Sequence, residues 1–351
     1  MTPGRASAAS GPLRVEAATD PSFWDSAVAG RPDATAYHRW GWRRVLADSM
    51  GHPAHYLVAR AGGDVVGALP MVAFSSRLFG RFAVSLPFVN YGGILSDDQA
   101  VADSLISSAI AWARSRGLAH VELRHVSPRA PEWPARRHKV AMRLPLLPDE
   151  ERQWGALDRK VRNQVRKAQK SGLTVEQGGR GLVDAFYRVF ARNMRDLGTP
   201  VHHRRFFEAV VREFPDEARV FVVRLADEPV AASLTISHRG SMEVPWASSL
   251  RAHADKSPNM LLYWSMLQAA IGSGARTFDF GRSTPDEGTY RFKQQWGAVP
   301  QPLVWEYAGL RGKVPDLSPA NPRFRVAIAA WQRLPVAIAT RLGPPIVRHL
   351  P

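Results

Sequence analysis

Cysteine is absent from all 351 residues of the chain. Its absence excludes disulfide bonds, thiolate metal ligands and a cysteine nucleophile, and it fits a reducing compartment. Long apolar runs are missing too, since no segment approaches the roughly 20 uninterrupted apolar residues of a membrane-spanning helix. The first residues are mostly Ala, Ser, Gly and Pro and lack the apolar centre of a secretory signal. We therefore expect a disordered leader over residues 1–14 and a cytoplasmic location.

Acidic residues are scarce relative to basic ones. The chain has 31 Asp and Glu against 47 Lys and Arg, which gives a formal net charge of +16. Such an excess favours anionic partners such as phosphate esters, coenzyme A, RNA or an acidic membrane face. A genome that prefers arginine explains the many arginines equally well, although it does not explain the shortage of acids. Both interpretations stay open at the level of composition.

The order of predicted elements divides the chain into two α/β halves. In the first half, the strands His55–Arg60 and Val65–Phe74 form a hairpin, and a helix ending at Arg116 leads into the strand Ala119–Arg124. A Pro-rich border follows at residues 128–148, and the same order then recurs. We expect an N-terminal domain at 15–148, a C-terminal domain at 149–309 and a basic amphipathic tail at 310–351.

The second half has clearer helix and strand patterns than the first. The predicted helices are Glu151–Ser171, Leu182–Leu197, His203–Phe214, Pro258–Ile271 and a short one near Asp286–Gln295. The predicted strands are Arg219–Leu225, Val230–His238, Met242–Ser248, Thr277–Phe280 and Leu303–Tyr307. In the first half, a helix is also predicted over Tyr37–Met50.

The most specific stretch is Arg276–Ala298, with the sequence RTFDFGRSTPDEGTYRFKQQWGA. It resembles the [FY]-D-F-G … F-K-x-x-[FW]-G signature of the Fem peptidyltransferase superfamily, whose members consist of two fused GNAT-like halves. Lys160–Glu176 and Ser257–Ala275 resemble the same superfamily, and so does Pro87–Gly93 in the first half. Within it, the chain is most similar to the FemAB-related proteins that accompany PEP-CTERM/exosortase and exopolysaccharide loci.

This resemblance implies an α/β fold of two tandem GNAT-like domains, with mixed, mostly antiparallel sheets flanked by helices. It also implies an N-acyltransferase that moves an activated acyl or aminoacyl group to an amine of a cell-envelope or exopolysaccharide precursor. The expected donor is acyl-CoA or aminoacyl-tRNA, and the expected acceptor is a phosphorylated or lipid-linked glycan. Two alternatives remain open, namely an aminoacyl-tRNA-dependent Fem-type peptidyltransferase and a non-catalytic scaffold at the membrane.

Acyl transfer to an amine needs a neutral nucleophile, stabilisation of an oxyanion and a proton for the leaving group. Lys293 matches the motif lysine and is predicted to neutralise an oxyanion or a substrate phosphate, unless it is a solvated helix residue. Asp279 can orient the amine, act as base or cap the following loop. Tyr290 can act as general acid or pack, and His238 or Glu243 can be the base.

Binding residues are predicted at three places. Ser257 and Asn259 begin a helix whose free N–H groups attract phosphate, or they form an N-cap. The residues before them lack the glycines of the GNAT pyrophosphate loop, so the donor stays open. Arg162 and Arg166 share a helix face that can steer an anionic substrate or a tRNA, or is simply solvated. The motif adds the two remaining substrate-binding candidates, Arg282 and Phe292.

The end of the chain is basic and amphipathic. From Arg311 onwards there are seven arginines and lysines against one acid, and apolar residues recur every three to four positions between Ile328 and Ile338. Pro335 is predicted to kink or split this helix. The segment fits the interface of an anionic membrane, or it packs back on the body. No metal is expected, because the adjacent His202 and His203 have a poor geometry for chelating one ion on either a helix or a strand.

Overall fold

The computed structural model describes residues 11–76, 79–312, 314 and 324–350. The strands are β1 (Leu13–Ala17), β2 (Ala54–Ala61), β3 (Asp64–Ser76), β4 (Gly80–Val84), β5 (His120–His125), β6 (Ala135–Arg136), β7 (Val140–Pro145), β8 (Leu173–Gly178), β9 (Ala218–Leu225), β10 (Glu228–His238), β11 (Ser241–Ser249), β12 (Thr277–Ser283), β13 (Val299–Pro302) and β14 (Val304–Gly309). The α-helices are α1 (Pro21–Ala29), α2 (Gly41–Met50), α3 (Gln99–Ser115), α4 (Glu150–Ala156), α5 (Arg159–Gln169), α6 (Val183–Asp196), α7 (Arg204–Glu213), α8 (Pro258–Gly272), α9 (Gly288–Gln294), α10 (Arg325–Trp331) and α11 (Val336–Val347).

Capping residues set several helix boundaries. Asp98 accepts the N–H groups of Ala100 and Val101 and is the N-cap of α3. The single helix expected over Glu151–Ser171 is wrong, because the chain leaves the helical conformation at residues 157 and 158. Asp158 then accepts the N–H of Lys160 and starts α5 as a separate helix.

The chain forms two compact units, which do not coincide with the two consecutive halves expected from the sequence. Unit 1 contains Met1–Trp40, His52–Arg136 and Val304–Val314, and unit 2 contains the rest. Each has one seven-stranded sheet, in the order β1-β2-β3-β4-β5-β14-β6 in unit 1 and β13-β7-β12-β11-β10-β9-β8 in unit 2. Each sheet is antiparallel except for one parallel pair, β4–β5 or β11–β12. The predicted mixed, mostly antiparallel α/β architecture is confirmed.

Unit 1 differs from its predicted boundaries at both ends. Leu13 and Arg14, placed in the expected leader, pair with β2 through Ala61 and Arg60, while residues 1–10 lie outside the described part. The strand expected in the second half at Leu303–Tyr307 is β14, which pairs along its whole length with β5. Backbone hydrogen bonding to β5 therefore assigns this late segment to the first sheet.

A buried histidine–glutamate pair joins β14 to β5. The backbone N–H of Ile94 donates to Nε2 of His125 at 3.0 Å, so Nδ1 carries the proton and donates to Glu306 at 2.8 Å. Glu306 also accepts the backbone N–H groups of Arg129 and Ala130. Burial lowers the pKa of His125, whereas the pKa of Glu306 is lowered by these hydrogen bonds in spite of its burial. The pair is thus a neutral imidazole bonded to a carboxylate.

Unit 2 gains segments from both ends of the chain. Helix α2 packs against α7, where the rings of Trp42 and Phe214 lie 5.4 Å apart and Asp48 forms an ion pair with Arg212. The strand β7 lies in the Pro-rich stretch expected to be a border, because it pairs with both β12 and β13. Pro335 separates α10 from α11 as predicted. Residues 313, 315–323 and 351 of the expected tail lie outside the described residues.

Candidate active site

The parallel pair at the centre of unit 2 is short and then opens. Strands β11 and β12 share three register pairs, the last of which joins Glu243 to Asp279. Beyond that pair, β11 runs on to Ser249 and β12 to Ser283, and the ladder between these two described strands has ended. We call the diverging segments, 243–249 and 279–283, the β-wedge. Two carboxylates with 7% and 1% relative exposure lie side by side where the wedge begins.

Asp279 is held by two hydrogen bonds. Its Oδ2 accepts Nε–H of Arg143 on β7 at 2.9 Å, and its Oδ1 accepts the backbone N–H of Gly281 at 2.8 Å. Gly281 has a φ of 74°, a conformation that favours glycine. As strand alternation predicts, the neighbouring Phe278 and Phe280 lie in the hydrophobic core. The side chain of Asp279 therefore fixes the turn at Gly281, two residues further on, and not a later part of the loop.

Lys293 reaches the same turn from α9. Its side chain is buried, and Nζ donates to the carbonyl oxygens of Gly281 at 3.1 Å and Arg282 at 2.9 Å. The pKa of Lys293 is lowered to about 8, chiefly by burial and also by Arg282, while Asp279 and Glu243 oppose this lowering. The interpretation as a solvated helix lysine is wrong. An ammonium has three donors, so one N–H remains without an acceptor among the described residues.

Aromatic packing holds α9 in this position. The ring of Tyr263 on α8 stacks on Phe280 at 5.4 Å and meets the edge of Phe292 at 5.0 Å. Trp296 closes the same cluster, and Tyr290 packs against it while remaining half-buried. The predicted binding residue Phe292 therefore has a packing role, which sets the direction in which Lys293 points. Tyr290 lies one helical turn before Lys293.

Arg282 is exposed and sets the electrostatics of its surroundings. It contributes to lowering the pKa of Lys293, of Lys139 and of His202. Burial is the larger cause for His202, whose pKa falls to about 4, so this imidazole is neutral near pH 7. Lys139 donates to Thr284 just after β12. The positive charge next to the wedge is thus larger than the sequence motif indicated.

His238 and Glu243 lie at different positions of the β10–β11 hairpin. His238 ends β10 and pairs with Ser241, and the cross-strand neighbour of Glu243 is Ile236. His238 is half-buried, whereas Glu243 is the register partner of Asp279. Of the two residues predicted as alternatives for the base, Glu243 is the one that lies at the start of the β-wedge.

The predicted anion site at the start of α8 has an unusual backbone. Ser257 is half-buried and left-handed, with φ 54° and ψ 45°, and its hydroxyl makes no capping hydrogen bond. Ser257 is therefore the N-cap residue of α8 by position, as one alternative predicted, but its side chain does not cap the helix. Asn259 lies in the first turn after Pro258 and is also half-buried. The helix itself connects the two strands of the wedge along the chain.

Helix α5 presents its basic residues next to two open clefts. Arg166 is exposed and lies 5.4 Å over the ring of Trp154, while Arg162 is half-buried. The clefts have volumes of about 500 and 540 Å³ and share two residues, Asp158 and Lys160. Their remaining lining residues are Ala156, Arg159, Asn163, Gln164, Lys167, Gln294, Gln295, Trp296 and Gly297. The second cleft thus includes the residues that directly follow Lys293.

Arg143 and His202 are the site residues that the sequence did not reveal. Arg143 lies on β7, within a stretch whose prolines hid the strand, and only the register with β12 brings it to Asp279. His202 was considered only as a metal ligand.

No group of three or more His, Asp or Glu side chains able to hold a metal occurs in the described parts of the chain. Likewise, none of the described helices is long and apolar enough to cross a membrane.

The strand–helix–strand arrangement around the wedge agrees with comparisons to known proteins. Residues 157–294 match the acetyltransferase (GNAT) domain family. The matched segment lies in unit 2, and Glu243, Asp279 and Lys293 all lie within it. Arg143 precedes the matched segment.

Solved structures extend the likeness to both units. FemX has 14% identity and a TM-score of 0.67, with 83% of this chain and 96% of FemX covered. A tandem GNAT protein from the clavulanic acid biosynthesis pathway has 12% identity and a TM-score of 0.56, with coverage of 86% and 100%. The C-terminal domain of a putative lysylphosphatidylglycerol synthetase from Agrobacterium fabrum has 12% identity and a TM-score of 0.56, with 82% of this chain and 92% of that domain covered. These likenesses establish the predicted tandem GNAT-like fold. The search among curated proteins gave no match.

Proposed function

We propose that the protein is an N-acyltransferase that transfers an activated acyl or aminoacyl group to an amine of a cell-envelope or exopolysaccharide precursor. One observation carries this proposal. A buried lysine ammonium with one remaining donor lies at the end of a strand whose carboxylate is paired in register with a second carboxylate. This arrangement lies inside residues 157–294, which match the acetyltransferase (GNAT) domain family, at the point where the ladder between β11 and β12 ends.

The proposed reaction uses Glu243, Lys293 and Tyr290. The amine nitrogen attacks the acyl carbonyl carbon and forms the C–N bond, while Glu243 accepts the proton that this nitrogen loses. The free N–H of Lys293 donates to the developing oxyanion. The tetrahedral species then collapses with cleavage of the bond to the thiolate or alkoxide leaving group. Tyr290 protonates that group and recovers its proton from Glu243 through solvent.

Asp279 acts in this proposal as a positioning residue. Its two hydrogen bonds, to Arg143 and to the N–H of Gly281, hold the turn whose carbonyl groups receive Lys293. Because those carbonyl groups orient the ammonium, a change at Asp279 shifts the direction of the remaining donor. His238 and Phe292 lie further from this chemistry and support the hairpin and the aromatic cluster.

The donor and the acceptor are proposed to be anionic. The net charge of +16, the exposed Arg282 and the basic lining of the first cleft at α5, with Arg159, Lys160 and Lys167, all favour phosphate groups. The GNAT domain favours a coenzyme A thioester as donor, with Ser257 and Asn259 near its phosphates and Arg162 and Arg166 near a phosphorylated glycan. The likeness of the motif to FemAB-related proteins of PEP-CTERM/exosortase loci supports an exopolysaccharide precursor as acceptor.

An assay of thiol release tests the proposal directly. The chain contains no cysteine, so a thiol-reactive dye reports coenzyme A release without background from the protein. We expect turnover with an acyl-CoA and an amino-sugar acceptor, and a loss on substitution of Glu243 by Gln. If the purified protein instead carries tRNA, and its activity disappears on RNase treatment, the aminoacyl-tRNA alternative replaces acyl-CoA. Absence of turnover with both donor classes and all acceptors overturns the enzymatic proposal.

The acceptor class is identified separately in cells. Mass spectrometry of the exopolysaccharide with and without the gene should show an acyl or aminoacyl group that is missing from the deletion strain. An unchanged polysaccharide would exclude that acceptor while leaving the thiol-release result intact.

A further inference from the structure

The last described segment, residues 324–350, has two different apolar faces. On α11, Ala339, Gly343 and Val347 recur every four residues and are buried. Gly343 lies so close to the backbone of Val201 that a Cβ would come within 2.8 Å of its nitrogen. This face packs on the rest of unit 2, which agrees with the predicted alternative that the tail packs back on the body. The other side of α11 is therefore left outside the core.

The second face is exposed. Ile338 and Leu342 follow each other by one helical turn and are 44% and 48% exposed, and Val326 on α10 is 80% exposed. Leu197 is 47% exposed and precedes Gly198, which lies against Ile328 of α10. These four residues, Leu197, Val326, Ile338 and Leu342, make up four of the nine exposed large hydrophobic side chains of the described chain. We call them the apolar patch.

The charge on the segment that carries three of the four patch residues is of one sign, and Asp196, next to Leu197, is paired with Arg195. Residues 324–350 contain four arginines and no aspartate or glutamate. Arg325 is exposed on α10 and Arg341 on α11, and Arg333 is exposed in the turn that connects the two helices. A second copy of this face would bring like charges together, whereas an anionic surface would neutralise them. Apolar side chains bordered by arginine are typical of helices that lie in the interface of an anionic bilayer.

We propose that α10, α11 and Leu197 form a docking face for an anionic lipid surface, in which the patch enters the acyl boundary and the arginines contact headgroup phosphates. Helix α11 has 12 residues, too few for the roughly 20 of a membrane-spanning helix, so the contact is peripheral. This inference does not depend on the acyltransferase proposal, because none of the residues of the β-wedge belongs to the face.

The test is co-sedimentation of the full-length protein with two kinds of vesicle. We expect binding to phosphatidylcholine mixed with phosphatidylglycerol that is at least about tenfold tighter than binding to phosphatidylcholine alone. The double change Ile338→Asp and Leu342→Asp should abolish binding. Val299→Asp is the matched control, since Val299 is 60% exposed on β13 of the same unit, and it should bind like the unchanged protein.

A second pair of variants separates charge from apolar contact. Arg333→Glu with Arg341→Glu should lower affinity for the mixed vesicles and leave the weak binding to phosphatidylcholine unchanged. Circular dichroism and melting temperature verify that every variant is folded. The proposal is overturned by equal binding to both vesicles, by a double aspartate variant that binds normally, or by light scattering that shows a dimer dispersed by the same variant. Thiol release in solution remains a separate readout of the catalytic proposal.

Discussion

The side-chain nitrogen of Lys293 lies 2.9 Å from the carbonyl oxygen of Arg282, eleven residues earlier in the chain. Together with the bond to Gly281, this contact joins α9 to the end of β12. It also removes the ammonium from water, which lowers its pKa to about 8, while the carboxylates of Asp279 and Glu243 favour the charged form. A single lysine thus stabilises the turn and places a positive charge beside the β-wedge.

Replacing Lys293 by Met should remove the charge while keeping an unbranched apolar stem of similar length. We expect kcat for the identified substrate pair to fall by about 10²–10³-fold, because one oxyanion donor is lost. Arg291→Met is the matched control, since Arg291 is exposed on the same helix. Steady-state kinetics with circular dichroism on both variants measures the effect. Full turnover by a folded Lys293→Met protein would refute the assignment.

The rate should depend on pH through Lys293. Below pH 8 the ammonium is mostly protonated and can donate, and above pH 8 it loses its proton because burial has lowered its pKa from 10.5. We therefore expect kcat to fall above an apparent pKa of about 8. The same descending limb should be missing from the residual activity of Lys293→Met. An identical limb in both proteins would assign the titration to another group.

The two carboxylates of the wedge should respond differently to amidation. Glu243→Gln removes the proposed base, and we expect the nucleophilic step to slow by about 10²–10⁴-fold. Asp279→Asn keeps an oxygen for the N–H of Gly281 but weakens the ion pair with Arg143, so both KM and kcat should change moderately. Substrate amines of lower pKa should partly rescue Glu243→Gln and leave Asp279→Asn unaffected. Equal rescue of both variants would contradict the division of roles.

Unit 1 should lose stability in mild acid because of His125 and Glu306. The folded pKa of His125 is lowered, so below the unfolded value of 6.5 the unfolded chain binds more protons and the free energy of unfolding decreases. The lowered pKa of Glu306 acts in the same direction as pH falls below 4.5. Calorimetry at pH 5.5 and 7.5 should show a smaller difference in melting temperature for His125→Gln than for the unchanged protein.

Glu306→Gln tests the same pair at fixed pH. The amide cannot accept all three N–H groups that Glu306 now accepts, so we expect a loss of about 1–3 kcal/mol in the free energy of unfolding. Denaturant titration at pH 7.5 measures it, and Glu16→Gln, an exposed change in the same unit, serves as the comparison. A loss no larger than that of Glu16→Gln would show that the buried pair contributes little.

Much of the candidate site was predictable because its residues are close in sequence. The motif from Asp279 to Trp296 spans one strand, one turn and one helix, and its resemblance to the Fem signature singled out Lys293, although not its hydrogen bonds to Gly281 and Arg282. Strand alternation also predicts that Asp279 leaves the core side that Phe278 and Phe280 occupy. Arg143 could not be found in this way, because 136 residues separate it from its partner and proline obscured its strand.

The sequence by itself determined the α/β class and the break at Pro335, since these depend on local periodicity and on the missing N–H of proline. The tertiary structure alone decided that β14 completes the first sheet, that α2 belongs to unit 2 and that Lys293 is desolvated. These outcomes depend on backbone hydrogen bonds and side-chain packing between segments far apart in the chain. Such contacts compete in free energy across the whole fold, and no local pattern of residues encodes which of them prevails.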